Sequence, residues 1–290
     1  MSFKELAIIG ATASGKSDLA LKKAVELNSY ILSIDSLSVY KEIDIVSAKP
    51  SKEQLRNIKH FGVDEIFPNQ KFDVTLFIEL YKKAREMAIK NGKNLIIVGG
   101  TSFYLKTLFT GLSVMPEVSK DNREFVTSLL LDLPQAFRYL EEKDLEYSKQ
   151  IKSTDRYRVE KALNILIETD TPPSIWFKQN PPKPILKNIP ILNINIEREI
   201  LVKMVEKRTE NMIRNGLIDE VQNLFLKYGE DLNSMKAIGI KETISFLKGE
   251  IKSEKELSEL ISIHTRQLAK RQTTFNRTQF RDFDIRNYIL

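Results

Sequence analysis

The chain has no cysteine, only two histidines and a single tryptophan among its 290 residues. Without thiols there is no disulfide framework, no thiolate nucleophile and no Cys-ligated zinc. Two lone histidines, His60 and His264, give a His-based metal site too few ligands, and both read as structural or surface residues. No apolar run reaches the length of a membrane span, and the short one near the N-terminus leads straight into a glycine-containing loop. Neither a signal peptide nor a membrane partner is expected, and the expected location is cytoplasmic. There is no internal repeat and no low-complexity segment. A net charge of +6, with pI near 9.2, suits a polyanionic partner without requiring one. The hydrophobic fraction of 42% is ordinary, enough for one large or two moderate domains.

What is present starts at residue 10. Gly10, Ala11, Thr12, Ala13, Ser14, Gly15, Lys16 and Ser17 follow an apolar run at 6–9 and precede a helix-like stretch at 18–27. They match G-x-x-x-x-G-K-[ST] in its strand-loop-helix setting. The glycines let the backbone curl and aim N–H groups at phosphate oxygens, while the helix N-terminus adds positive potential. Lys16 then meets the terminal phosphate, and Ser17 is placed to hold Mg²⁺. A compound carrying a diphosphate or triphosphate is the expected ligand.

Residues 30–34 form a β-rich run ending on Asp35-Ser36, which completes a βαβ unit. Ligands of open parallel sheets bind beyond the carboxyl ends of the strands, so Asp35 is expected to project into the same crevice as the loop. Position alone leaves three readings of that carboxylate open: base, metal ligand or cap. Residues 61–66 read as a second short strand. Asp73 reads as the N-cap of a helix buried through Val74, Phe77, Ile78, Tyr81, Ala84 and Ala88 and closed by Asn91-Gly92. A continuous apolar strand at 95–98 ends in Gly99-Gly100-Thr101. Phosphate-loop ATPases commonly carry an Asp there to help hold Mg²⁺; its replacement by two glycines and a hydroxyl argues against a site built for ATP hydrolysis.

From 116 to 169 the pattern is helical and charged, with Arg123, Arg138, Lys149, Lys152, Arg156, Arg158 and Lys161. Glu141, Glu142, Asp144 and Glu146 are interspersed, so a solvated mixed-charge surface fits as well as a basic binding face. Residues 171–190 hold six of the ten prolines and Trp176, and read as a connector or binding loop without regular structure. A strand at 191–196 returns the chain to the sheet. A long helical tract follows, with Met204, Val205, Met212, Ile213, Val221 and Leu224 as buried positions and Gly216 as a break; by itself Arg208 reads as a solvated arginine within it. Residues 265–277, with Arg266, Lys270, Arg271 and Phe275, and Phe280 and Phe283 beyond, suit phosphate contacts plus base stacking. An amphipathic helix packed on the sheet explains the same stretch nearly as well. The expected fold is α/β, a phosphate-loop NTPase-like parallel sheet flanked by helices, with a core domain at 1–115 and 191–290 and an inserted helical subdomain at 116–190.

Taken together, the phosphate loop, Asp35-Ser36 with Val39-Tyr40, Asp44-Ile45 and Ala48-Lys49-Pro50, then Val98-Gly99-Gly100-Thr101 with Tyr104, and Thr265-Arg266-Gln267 with Ala269-Lys270-Arg271-Gln272, resemble the tRNA dimethylallyltransferase family. The blocks follow the family's order along almost the whole chain. The resemblance implies transfer of a dimethylallyl group from dimethylallyl diphosphate to the N6 amine of the adenosine just 3′ of the tRNA anticodon, with Mg²⁺ as cofactor. It further implies that residues 10–17 hold the diphosphate and that Lys16 and Arg208 assist its departure. Asp35 would be the general base and Thr101 would meet substrate at the reaction centre. Contacts to the tRNA anticodon stem-loop would come from Asp35, Ser36, Leu37, Ser38, Thr101, Arg123, Asp155, Arg156, Tyr157, Arg158, Val159 and Lys236, with Arg266 and Arg271 from the basic C-terminal stretch. The chain departs from the family at Ala11 for proline, Ser38 for glutamine, Glu42 for glycine and Val46-Ser47 for Gly-Thr. A monomer is expected. A phosphate-loop kinase of a small molecule and a nucleotide-dependent RNA-binding switch are the alternative classes; a kinase needs ATP and releases ADP, and a switch binds without turnover.

Overall fold

The computed structural model describes residues 3–187 and 189–289. The chain divides into two compact units, Met1–Phe109 with Leu186–Leu290, and Thr110–Ile185. The limits read from the sequence, 116 and 190, fall slightly later because the crossing is set by backbone contacts that no composition change marks. Leu186 N donates to Leu108 O at 2.9 Å. Gly111 lies so close to Lys183 that a Cβ there would meet the Lys183 backbone.

The elements begin β1 (Glu5–Gly10), α1 (Lys16–Glu26), β2 (Ser29–Ser33), α2 (Lys52–Asn57), β3 (His60–Phe61), α3 (Val74–Lys90), β4 (Asn94–Gly99) and α4 (Ser102–Thr110). The second unit then adds α5 (Lys120–Leu129), α6 (Leu133–Lys143), α7 (Leu145–Ser148), α8 (Arg156–Thr169) and α9 (Pro173–Gln179). The chain returns through β5 (Ile191–Asn195), α10 (Arg198–Arg214), α11 (Leu217–Tyr228), a 3₁₀ turn (Asn233–Lys236), α12 (Ile240–Leu247), α13 (Glu254–Gln279) and β6 (Ile285–Ile289).

Six parallel strands form one sheet in the order β3-β2-β4-β1-β5-β6. β1 and β4 pair at its centre, and Ala7, Ile8, Ile9, Leu95, Ile96 and Ile97 are fully buried, as strands covered by helices on both faces must be. Asp73 caps α3 by accepting from Thr75 N at 3.0 Å and Leu76 N at 3.2 Å, and Phe77, Tyr81, Ala84 and Ala88 are buried as its spacing requires. Gly216, in a left-handed conformation at φ 98°, separates α10 from α11.

Three elements differ from the sequence expectation. The strand expected at 61–66 is reduced to two residues, because the chain turns at Gly62 and Asp64, both with positive φ. The proline-rich stretch contains helix α9, since Pro172 and Pro173 sit at its N-cap and first turn, where a missing N–H costs nothing. β6 was not expected, because its five residues carry charge and amide side chains suited to a sheet edge rather than a buried run.

The second unit has its own core of Val126, Leu130, Ala136, Leu140, Val159, Ala162, Leu163 and Leu166 from α5, α6 and α8. Among the described residues no helix is long and apolar enough to cross a membrane.

Candidate active site

The phosphate loop joins β1 to α1. Gly10 has no room for a side chain: a Cβ would come to 2.9 Å from Ser14 Oγ and 3.2 Å from Ile194 Cβ. Ala13 (φ 61°) and Gly15 (φ 75°) take left-handed conformations that curl the loop onto the start of α1. Ser14 is buried, and its hydroxyl has no partner among the described residues. Lys16 is also buried, with Nζ donating to Ala11 O at 2.7 Å. Desolvation first, then the nearby Arg208 charge, lowers its pKa to about 8, while Asp35 acts in the opposite direction. Ser17 is exposed on the first turn of α1.

Asp35 lies just past the end of β2, beside the end of β4. The approach depends on Gly99, where a Cβ would come to 2.9 Å from the Ile34 carbonyl carbon and 3.1 Å from Asp35 N. Asp35 Oδ1 accepts from Leu37 N at 2.8 Å and Ser38 N at 3.2 Å, closing the turn that follows. Oδ2 accepts no hydrogen bond among the described residues, so one carboxylate caps the turn and keeps a free oxygen. Ser38 is buried, its hydroxyl shared with Ser33 Oγ at 2.9 Å and directed to Gly62 O at 3.3 Å.

Both features line one cavity of about 660 Å³ in the first unit. Its polar wall includes Thr12, Lys16, Ser17, Asp35, Thr101 and Arg208, and Tyr40, Phe72, Tyr104, Val98, Met212 and Leu268 supply apolar surface. Tyr104 is stacked on Phe77 (centroids 4.9 Å) and edge-on to Phe72 (5.5 Å); burial first, then neighbouring Tyr40, Asp73 and Asp35, pushes its pKa up to about 12. It is a neutral wall at any physiological pH.

Arg208 reaches the cavity from α10 and donates from Nη1 to Thr12 Oγ1 at 3.4 Å. The solvated reading of this residue is thereby corrected. Burial lowers its pKa and the Asp35 charge resists the shift; a guanidinium keeps its proton in either case. From α13, Ile261, Thr265, Leu268 and Gln272 line the cavity at i, i+4, i+7 and i+11, one helical face. Gln272 Oε1 accepts from Thr12 N at 2.7 Å. Gln272 belongs to the Ala269-Lys270-Arg271-Gln272 block of the family resemblance, which gave it no role of its own; the contact with Thr12 supplies one.

The remaining expected residues fall into three settings. Ser36, Leu37, Ser38 and Lys236 line the cavity. Arg266 and Arg271 do not: Arg266 Nη1 reaches Glu206 Oε1 at 3.4 Å, and Arg271 is exposed. In the second unit, Asp155 caps α8 through Arg158 N at 3.1 Å and pairs with Arg158 Nη1 at 2.7 Å. Arg156 Nη1 donates to Leu130 O at 2.6 Å, a structural contact. Arg123 and Tyr157 are exposed, whereas Val159 is wholly buried in that unit's core, which removes its side chain from any binding surface. Phe280 is likewise buried in a cluster with Phe109, Phe275 and Phe283, so the C-terminal aromatics pack the fold and α13 follows the amphipathic reading.

Two loop features explain how departures from the family pattern are accommodated. Glu42 holds the left-handed backbone a glycine would take (φ 67°), and Lys227 Nζ at 2.7 Å and Tyr228 Oη at 3.1 Å bind its carboxylate. Glu220 of α11 accepts all three amides of Asp44, Ile45 and Val46 at 3.0, 2.7 and 3.1 Å, fixing the segment that carries Val46-Ser47 along the cavity.

A parallel sheet whose first strand leads into a phosphate loop, with a buried lysine and a half-buried arginine at one cavity wall, defines a phosphate-loop NTPase-like α/β protein. The IPP transferase family model matches residues 38–279, and a tRNA dimethylallyltransferase of Sulfurimonas denitrificans is 54% identical over 276 residues, covering 95% of this chain and 93% of that protein. The chain belongs to the IPP transferase family. The crystal structure of a full-length tRNA isopentenylpyrophosphate transferase from Bacillus halodurans matches 99% of this chain and 90% of its own at TM-score 0.71 and 26% identity. A eukaryotic dimethylallyltransferase acting on tRNA shares the fold at TM-score 0.87 and 24% identity, over 99% of this chain and 74% of its own.

Proposed function

We propose that this transferase moves a dimethylallyl group from dimethylallyl diphosphate to the N6 amine of the adenosine 3′ of a tRNA anticodon and releases diphosphate. One observation supports it above the others: the cations of a diphosphate site and an unspent carboxylate oxygen line the same cavity. An exocyclic amine is a weak nucleophile, and an allylic carbon is a ready electrophile once the charge growing on its leaving group is met. Lys16, Arg208 and the loop amides are placed for that charge, and they act most strongly where it develops. Asp35 Oδ2 takes the amine proton as the N–C bond forms, with Oδ1 held by two amides so that the free oxygen keeps its aim. Thr101 lines the cavity beside it and meets the substrate amine. The apolar wall shelters the prenyl chain from water.

The cavity's oxygen donors fit Mg²⁺, a hard cation that keeps several waters and binds through phosphate oxygens with few protein ligands. Ser17, exposed at the loop's end, would hold it. When bound, Mg²⁺ would neutralise part of the leaving group's charge. Arg123, Arg158 and Tyr157 of the second unit, with Lys236, Arg266 and Arg271 of the first, serve as tRNA contacts in this reading.

Incubation with labelled dimethylallyl diphosphate and tRNA, without nucleoside triphosphate, tests the proposal. Label retained on tRNA at that adenosine is the expected result. No transfer, or transfer that requires ATP, refutes it.

A further inference from the structure

Gln272 sits between the phosphate loop and the loop after β4 in an arrangement that capping alone does not explain. Its Oε1 is committed to Thr12 N at 2.7 Å. A carboxamide is planar, so fixing the oxygen fixes the direction of the two Nε2 hydrogens as well. Nε2 lies against Gly100, where a Cβ would collide with it, and so the glycine makes room for this amide. Among the described residues Nε2 has no acceptor, although Gln272 lines the cavity with Lys16, Thr101 and Arg208. An unpartnered pair of N–H donors is thus held at a cavity whose wall also carries the Lys16 and Arg208 cations.

We propose that Gln272 is a further diphosphate-binding residue, donating from Nε2 to a phosphate oxygen of the prenyl donor while Thr12 holds its carbonyl end. The proposal rests on the donor site assigned above and adds a neutral donor to its two cations, buried Lys16 and half-buried Arg208. Neutrality has a use here. A third cation would depress the Lys16 charge further, as Arg208 already does, whereas an amide adds a hydrogen bond without that penalty.

Gln272→Glu provides the test, because it keeps the length and the acceptor for Thr12 N–H but replaces the donor pair with an oxygen. Pyrophosphate binding to the whole protein is measured by calorimetry for the wild type, Gln272→Glu and Gln272→Met, beside thermal melts and tRNA affinity. A donor role predicts that Gln272→Glu weakens pyrophosphate about tenfold or more and raises the KM for dimethylallyl diphosphate, with melting and tRNA affinity nearly unchanged. Gln272→Met, lacking both functions, should lose a smaller factor than Gln272→Glu because it adds no repulsion. If Gln272→Glu binds pyrophosphate as the wild type does, Gln272 only caps Thr12 and the proposal is overturned. If the wild type itself binds no pyrophosphate, the donor site falls, and this inference falls with it.

Discussion

Asp35→Asn separates the turn-capping role that the structure shows for Asp35 from the general-base role proposed for it. The amide oxygen can stay on Leu37 N and Ser38 N, which Oδ1 now accepts at 2.8 and 3.2 Å, while Oδ2 becomes an NH₂ that cannot take a proton. Replacing charge-assisted bonds with neutral ones costs about 1 kcal/mol of stability, and Asp35→Ala, which loses both hydrogen bonds to Oδ1, costs about 2–3 kcal/mol. Loss of a general base slows reaction by about 10²–10⁴, equivalent to roughly 3–5 kcal/mol of barrier. The kinetic effect of the Asn variant thus exceeds its stability effect several-fold. The charge change has a second consequence: Asp35 resists the lowering of the Lys16 pKa, so removing it drops that pKa further below about 8. Diphosphate affinity is therefore compared well below that pH, so that Lys16 keeps its proton in both proteins. The assay is single-turnover transfer from labelled dimethylallyl diphosphate to tRNA, with melts in the same buffer. A near-normal rate in Asp35→Asn, alongside a destabilised Asp35→Ala, would leave Asp35 as a turn cap and refute the base assignment.

Lys16→Met should raise the melting temperature at neutral pH while sharply weakening pyrophosphate binding. The folded-state pKa of about 8 lies below the unfolded value of 10.5, so the unfolded chain binds more protons between them and stability rises with pH across that window. Melts of the wild type and Lys16→Met from neutral to alkaline pH check this; a gap that stays constant would contradict the buried charge. Gly99→Ala should slow transfer strongly, because its methyl meets the Ile34 carbonyl carbon and Asp35 N at 2.9 and 3.1 Å and must displace Asp35, the proposed base. Normal turnover in that variant would mean that Asp35 tolerates the shift. Arg158→Gln should weaken tRNA binding and reduce its salt slope by about 1 without changing pyrophosphate affinity, and an unaltered slope would take Arg158 off the RNA.

The chain by itself determined what depends on neighbours in sequence. The phosphate loop was legible because its curl needs residues that tolerate Gly10 and Gly15 geometry within one turn of a strand and a helix. The cap at Asp73 and the break at Gly216 were legible for the same local reason. Asp35 could be placed at the crevice because strand ends of a parallel sheet share a side, yet its position left base and cap as rivals; the structure shows Oδ1 closing the turn and Oδ2 without a partner among the described residues. Tertiary structure decided the contacts themselves, although the family resemblance had already pointed to Arg208. Arg208 and Gln272 meet Thr12 across 196 and 260 residues, distances over which composition carries no information about contact. Val159 sits among charged neighbours in sequence but faces inward on α8, and the C-terminal phenylalanines close on Phe109 rather than on solvent. In each case the deciding quantity was which side of a helix the fold buries, and that is set by what packs against it.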